Sequence, residues 1–297
     1  MPTTLRQAWR ALWRARAATL AAILCLALGV GATTTVLAVA DVVLLRPIAA
    51  RDLDRLVVLR LDLPPLDLFD TNLGPPGAEE ALARRDVFET GAAYAEREYN
   101  LTADEREPAR VRVAQTLGPY FALLDAGAAR GRLYAPDASR DPARHQTAVL
   151  GHAFWRRHFG GDPSVVGRTV RLNGRAYEIV GVADAALRHP RGADLFVPYA
   201  VDSTFANSRG RLVMTPIARV RAGVPPERVD AALRAVADGW AAASGNAPNG
   251  PDGRPTNRLR AVPLAKWLAG ELRPVTRLLL AAVALVLLVA CANVACL

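Results

Sequence analysis

The stretch of this 297-residue chain that looks most ready for chemistry is GRTVRLNGRAYEIVGV, Gly167 to Val182. It has a glycine every seventh residue and three arginines between them. Glycines beside cations could cradle a phosphate, but a phosphate loop sets its glycines against a helix N-terminus. Here a strand-like run follows each glycine. Asn173-Gly174 therefore reads as a two-residue hairpin turn, in which a type I′ geometry needs φ > 0 at both central residues. That turn sets Leu172 against Arg175, Arg171 against Ala176, Val170 against Tyr177 and Thr169 against Glu178. Val170, Leu172 and Tyr177 then share one face, and Thr169, Arg171 and Glu178 the other. The arginines alternate with apolar residues because one face is wet.

Other chemistries are absent by residue type or spacing. A P-loop requires Gly-Lys-Ser/Thr, and the single lysine is Lys266, in LAKWLAG. The four histidines are His145, His152, His158 and His189. His152 and His158 are six apart and fall on different faces of a helix, so they make no zinc pair. No serine stands in a G-x-S-x-G context. The glutamate pair Glu79-Glu80 belongs to a solvent face, and Trp155, Phe159 and Tyr177 to a core. No catalytic residue, metal site or cofactor is expected, and the chain is read as a non-enzyme.

Two apolar stretches frame the chain. Ala17 to Ala40 runs 24 residues without a charged side chain, and Leu278 to Leu297 runs 20. Each is long enough to cross a bilayer core of about 30 Å at about 1.5 Å per residue. The formal net charge of +9 concentrates beside them: Arg6, Arg10, Arg14 and Arg16 precede the first stretch, Arg273 and Arg277 the second. With no dense basic run between them, nucleic acid is not an expected partner. By the positive-inside rule the N-terminus is cytoplasmic and the middle of the chain lies outside. The apolar run is too long for the core of a cleaved signal peptide, about 7–15 residues. All three cysteines, Cys25, Cys291 and Cys296, fall within the apolar stretches, so the exported region has no disulfides. Leu5, Trp9, Leu12 and Trp13 recur at helical spacing and make residues 1–16 an amphipathic helix on the cytoplasmic membrane face. Residues 17–43 form the first span, where Gly29, Gly31 and Ala32 offer a small-residue patch for helix packing. Residues 275–297 form the second.

Between the spans, strands are expected over Arg55–Leu63, Ala92–Tyr99, Ala109–Leu117, Arg211–Gly223 and Arg258–Leu264. Helices are expected over Gly77–Phe88, about Pro119–Leu124, and from Pro225-Pro226-Glu227 to Ala243. Val229, Leu233, Val236 and Trp240 share one face of that last helix. Asn246–Thr256, rich in Pro, Gly and Asn, is a loop. The pattern gives a membrane-anchored α+β protein with a two-part extracytoplasmic domain. Its first subdomain, residues 44–125 and 211–274, is one layer of two βαβ-like units. Residues 126–210 are an inserted β-rich subdomain.

Four blocks carry a resemblance: Leu20–Ile48, Arg110–Tyr134 (RVRVAQTLGPYFALLDAGAARGRLY), Ala148–Val182 and Arg277–Leu297. In this order they resemble the permease family of MacB/FtsX-type ABC transporters, that is, a MacB-like periplasmic core domain with flanking spans. The resemblance implies a permease subunit without catalysis of its own, in the bacterial inner membrane with a periplasmic central domain. It implies as partners an ABC-type ATPase, a second permease as homodimer or heterodimer, membrane lipid and a periplasmic adaptor. Two departures stand out. Family members continue with further spans, so the chain reads as a C-terminally truncated form. Leu124-Asp125 also stands where the family usually has Leu-Gly. A membrane-anchored binding or sensor domain without an ATPase, or a truncated non-functional permease, would fit the same residues.

Overall fold

Strand β1 (Leu56–Leu63) is buried along its first seven residues, so both faces of the sheet are covered there. The computed structural model describes residues 50–102, 107–200, 208–243 and 257–270, with ten isolated helical residues between 27 and 34 and between 278 and 288. The chain divides into two compact units, Ile48–Trp267 and the terminal segments together. Among the described residues no helix is long and apolar enough to cross a membrane. The expected spans, the amphipathic helix at 1–16 and the loop Asn246–Thr256 lie largely or wholly outside those residues.

Four strands make an open layer in the larger unit. Both β1 and β3 (Phe88–Thr102) pair antiparallel with β10 (Thr215–Val220), and β10 and β11 (Arg258–Pro263) flank β1, giving the order β11-β1-β10-β3. Each parallel pair is therefore split by a strand of the other. Helix α1 (Pro75–Leu82) connects the β1–β3 pair, and α4 (Pro226–Ala243) the β10–β11 pair. These are two interlocked split βαβ units. A short β2 (Leu68–Thr71) extends β1 beyond the end of β10.

The side-chain period of two decides what each face meets. Val57, Leu59 and Leu61 of β1, with Ala93 and Ala95 of β3, pack against Ala78, Ala81 and Leu82 of α1 and Val229, Leu233 and Trp240 of α4. Tyr94, between those alanines, points the other way, toward α2 (Tyr120–Leu123).

The second half closes on itself. β3 pairs β4 (Ala109–Leu117), β4 pairs β9 (Leu195–Pro198), and β9 pairs β6 (Thr147–Leu150). β6 pairs β8 (Arg175–Ala183), β8 pairs β7 (Thr169–Leu172), and β7 returns to β3 at Leu101↔Leu172. This circuit of six strands is a small barrel, filled by Leu101, Val113, Leu150, Val170, Leu172 and Ile179. Helix α3 (His152–Phe159) adds Phe154, Trp155 and Phe159 to that core. β5 (Ala128–Gly131) lies outside the circuit, on β8. The barrel thus borrows the far halves of β3 and β4, which lie before residue 126.

Three expected elements change their bounds. Helix α1 starts at Pro75 and not Gly77, because Pro75-Pro76 occupy its first turn, where a missing N–H costs nothing. It stops at Leu82 and not Phe88. Arg84 bonds both carboxylate oxygens of Asp86, at 2.9 and 2.8 Å, and the Ala232 carbonyl at 2.7 Å, fixing a turn that releases Phe88 into β3. β3 is accordingly longer than Ala92–Tyr99, and β10 shorter than Arg211–Gly223.

Candidate functional site

The larger unit receives and releases its chain at one place. Val57, at the start of β1, is paired with Pro263, the last residue of β11. Beside this end, the buried Arg219 of β10 donates to the Arg51 carbonyl at 2.5 Å and the Leu123 carbonyl at 2.8 Å. Its guanidinium lies 3.5 Å from Asp125, whose carboxylate also accepts from the Arg51 N–H at 2.7 Å. Arg55 donates to the Val220 carbonyl at 2.9 Å and pairs with Asp52 and Glu89. The segment entering β1 is thus tied by side chains to β10, β3 and the α2 turn.

Toward the other end of β1, two charged residues interrupt its apolar run. Arg60 and Asp62 are 8% and 6% exposed. Asp62 accepts from Arg260 Nε at 2.8 Å and Nη2 at 3.0 Å, and from the Asp70 N–H at 2.9 Å. Arg60 bonds Asp70, through its carboxylate and its carbonyl, and the Asn72 side chain. Burial pushes the Asp62 carboxyl up, but the Arg260 and Asp70 bonds and the charges of Arg260 and Arg258 outweigh it. The net shift is below the usual carboxylate range. The Asp62 hydrogen bond raises Arg260 in turn. The Arg60 guanidinium also lies 5.9 Å from the centroid of Trp267, in the segment after β11. That distance is within cation–π range. One ionic network therefore joins β1, β2, β11 and the segment leaving the sheet.

On the α2 face, His189 is 2% exposed. Its Nδ1 lies 2.9 Å from the Tyr120 hydroxyl, which donates to the His189 carbonyl at 2.9 Å, and Tyr94 stacks edge-on at 4.9 Å. Burial alone pushes the imidazole down from 6.5 to about 3, and burial, with Tyr94, Tyr134 and Glu96 nearby, pushes Tyr120 well up. A histidine neutral throughout the physiological range, packed against the Tyr94 and Tyr120 rings, is a core element and does not change its protonation near neutrality.

The residues singled out in the sequence are dispersed. Asn173 (φ 48°) and Gly174 (φ 81°) form the turn between β7 and β8. The Asn173 side chain accepts from the Asn100 N–H at 2.8 Å, fastening the turn to β3. Gly31 is helical and exposed; Gly29 and Ala32 lie outside the described residues. His145 bonds the Ser139 carbonyl at 2.9 Å, His152 packs edge-on against Trp155, and His158 stacks on Phe154. The structure brings none of these histidines together. Among the described residues no group of three His, Cys, Asp or Glu side chains is arranged to hold a metal. Sequence reasoning missed the Arg60–Asp62–Arg260 network. Its signal was two charges at i and i+2 in an otherwise apolar strand.

The profile of the MacB-like periplasmic core domain family matches residues 19–236. Among solved structures, a domain of a permease protein from Porphyromonas gingivalis superposes with a TM-score of 0.53 at 17% identity, covering 71% of this chain and 90% of that one. The periplasmic region of MacB from Actinobacillus actinomycetemcomitans gives a TM-score of 0.52 at 12% identity, covering 74% and 92%. At these identities the likeness is one of fold. No curated protein matches the chain in sequence.

Proposed function

The chain belongs to the MacB-like periplasmic core domain family, and from that premise we propose that it is the N-terminal part of a permease subunit of a MacB/FtsX-type ABC transporter. Its α+β domain lies in the periplasm between two membrane spans. A partner ATPase hydrolyses ATP in the cytoplasm, and the spans carry that movement to the domain. The chain itself catalyses nothing.

One observation carries this reading. Entry and exit are neighbouring strands at one end of one sheet, Val57 against Pro263. A domain held by two adjacent strands in a rigid layer moves as a body when its supports tilt, because packed sheets transmit displacement and do not absorb it. Arg219 and Arg55 make the entering segment part of that layer. The charge-free stretches at 17–40 and 278–297 support the spans, as do Val30, Leu278, Leu285 and Leu288, helical residues that are each more than half exposed. Such surfaces suit lipid.

The test is a spin label on exposed Glu98, substituted by cysteine after the three native cysteines are replaced by serine. The chain is reconstituted in lipid with its ATPase partner and the remaining permease spans. Adding ATP should change the label-to-label distance between the two permeases of the complex. An unchanged distance under turnover would refute coupling, and ATP turnover by the purified chain alone would refute the absence of catalysis.

A further inference from the structure

Outside the two apolar stretches, the exposed large hydrophobic residues among those described are Leu66, Leu68 and Phe69, at 66%, 41% and 58%. All three lie on β2 and the turn before it. Isolated surface leucines need no explanation, but three clustered on one projection mark an interaction site. They do not stand on a flat face. Leu66 and Leu68 form the rim of a cavity of about 270 Å³, whose floor is Leu61, Leu73 and Trp240.

The sequence builds this hollow. α1 presents Gly77 toward α4, and a Cβ there would lie 3.3 Å from the Trp240 ring, so glycine lets the ring sit beneath the opening. Glu80, one turn on, accepts from Trp240 Nε1 and holds the indole in place. The same carboxylate pairs with Arg209, a charged residue of the lining. The cation is already compensated, which leaves the wall close to neutral, with Asn257 as its amide.

We infer that this cavity is a binding site for a small uncharged apolar molecule containing an aromatic or compact aliphatic group. Volume argues for one such molecule: a hydrocarbon-lined cavity of roughly 150 Å³ already takes up benzene. The neutral wall argues against an anion or a cation, since the one charged lining residue, Arg209, is already paired with Glu80 and a ligand charge would lose water without gaining a partner. The exposed leucine rim provides the apolar approach. The inference rests on the cavity and does not depend on coupling to an ATPase.

The probe is 3-phenyl-3-trifluoromethyldiazirine, a small uncharged carbene precursor, applied to the full chain in lipid nanodiscs. Photolabelled peptides are read by mass spectrometry, with label in the apolar stretches as internal reference. Carbene insertion is expected in the peptides containing Leu61–Leu73 and Trp240, and naphthalene should compete it away. Leu212→Trp, which fills the hollow, should reduce that labelling severalfold against the reference. The double variant Leu66→Gln/Leu68→Gln should do the same without disturbing the fold, because both side chains face solvent. Labelling that is absent, or indifferent to naphthalene and to the rim variant, would overturn the inference. So would labelling that emerges only when the protein is diluted, since the rim would then be covered by a second copy. None of these outcomes bears on the ATP-dependent distance change.

Discussion

The two halves of the sheet solve the edge problem in opposite ways. The barrel half closes its hydrogen-bond circuit and has no free strand along it, with β5 as an appendage on β8. The layer half stays open and ends on β11, whose Arg258, Arg260 and terminal Pro263 blunt it against pairing with another chain. The halves differ inside as well. The barrel core is hydrocarbon and aromatic, its ion pairs lying at the surface, as in Arg110–Glu98 with side chains 75% and 54% exposed. The layer buries Arg60, Asp62 and Arg219 in its strands. The difference teaches where the demands fall. A barrel needs only to stay closed, whereas the layer must hold the entering and leaving segments in fixed register. Directional charged bonds between strands specify that register better than packing alone.

If that contrast is right, the largest loss comes from cutting the layer's network. Asp62→Ala leaves the Asp70 N–H without its acceptor and Arg260 with only its longer bond to the Asp70 carboxylate, at 3.3 Å. Removing one partner of a fully enclosed ion pair costs about 3–5 kcal/mol, and because Arg260 is about a third exposed we expect about 2–3 here. Denaturant unfolding of the full chain in detergent reads this. In a double-mutant cycle, Asp62→Ala and Arg260→Ala should be strongly non-additive. A cost below that of a surface pair would break the comparison.

A second test separates the α2 face from both cores by pH. His189 is neutral when folded down to about pH 3, whereas the unfolded chain takes up its proton near 6.5. Because its folded value is depressed, stability is full above 6.5, falls as pH drops from 6.5 toward 3, and levels off below. Between pH 7 and pH 5 the loss is about 2 kcal/mol. Asp62 shifts in the opposite sense to a raised carboxyl: its contribution holds down to the usual carboxylate range and fades only below it. The slope between pH 7 and 5 should therefore flatten in His189→Asn, which keeps a short polar side chain. A slope unchanged in that variant would assign the pH response elsewhere.

What the sequence made legible follows from the reach of its signals. The β7–β8 register is local: one Asn-Gly and a period-two alternation place Val170 against Tyr177 without reference to the rest of the chain. Helix α4 was equally readable from its Pro-Pro-Glu start and the spacing of Val229, Leu233 and Trp240. Barrel closure was not, because it depends on Leu101 meeting Leu172, and nothing local near Leu101 announces a partner 71 residues on. The same holds for Arg60 and Asp62, whose partners Asp70 and Arg260 come together only once β2 and β11 have both docked. His189 looked like any lone histidine, since the rings packed on it come from Tyr94 of β3 and Tyr120 of α2.

The hairpin tests closure at moderate cost. A Cβ on Gly174 would meet nothing within 4 Å, so Gly174→Val adds no clash and acts through its backbone alone. Holding a β-branched residue at φ 81° costs about 1–2 kcal/mol. Because Asn173 also bonds Asn100, the strain should appear as faster amide exchange at Leu101 and Thr102 of β3 as well as in the turn. Exchange confined to residues 172–175 would mean that the turn does not help close the barrel.

The smallest effect is expected where the barrel carries its charges. Arg110 and Glu98 lie on neighbouring strands, with Glu98 opposite Arg112 and Arg110 opposite Asn100, so the pair is diagonal, two positions apart along the ladder. Both side chains stand mostly in water, so their attraction is screened and is offset by the entropy of holding two long chains in one geometry. Pairs of this kind contribute about 0.5 kcal/mol or less. Glu98→Gln keeps the side chain's shape and removes only its charge, so unfolding of the full chain should shift by no more than that, and the shift should vanish as salt shortens the screening length. Asp62→Ala should keep most of its cost in the same salt series, because its partners are held between strands. If both substitutions responded to salt alike, the layer's network would be a surface feature, and the two halves would not differ in how they hold their strands.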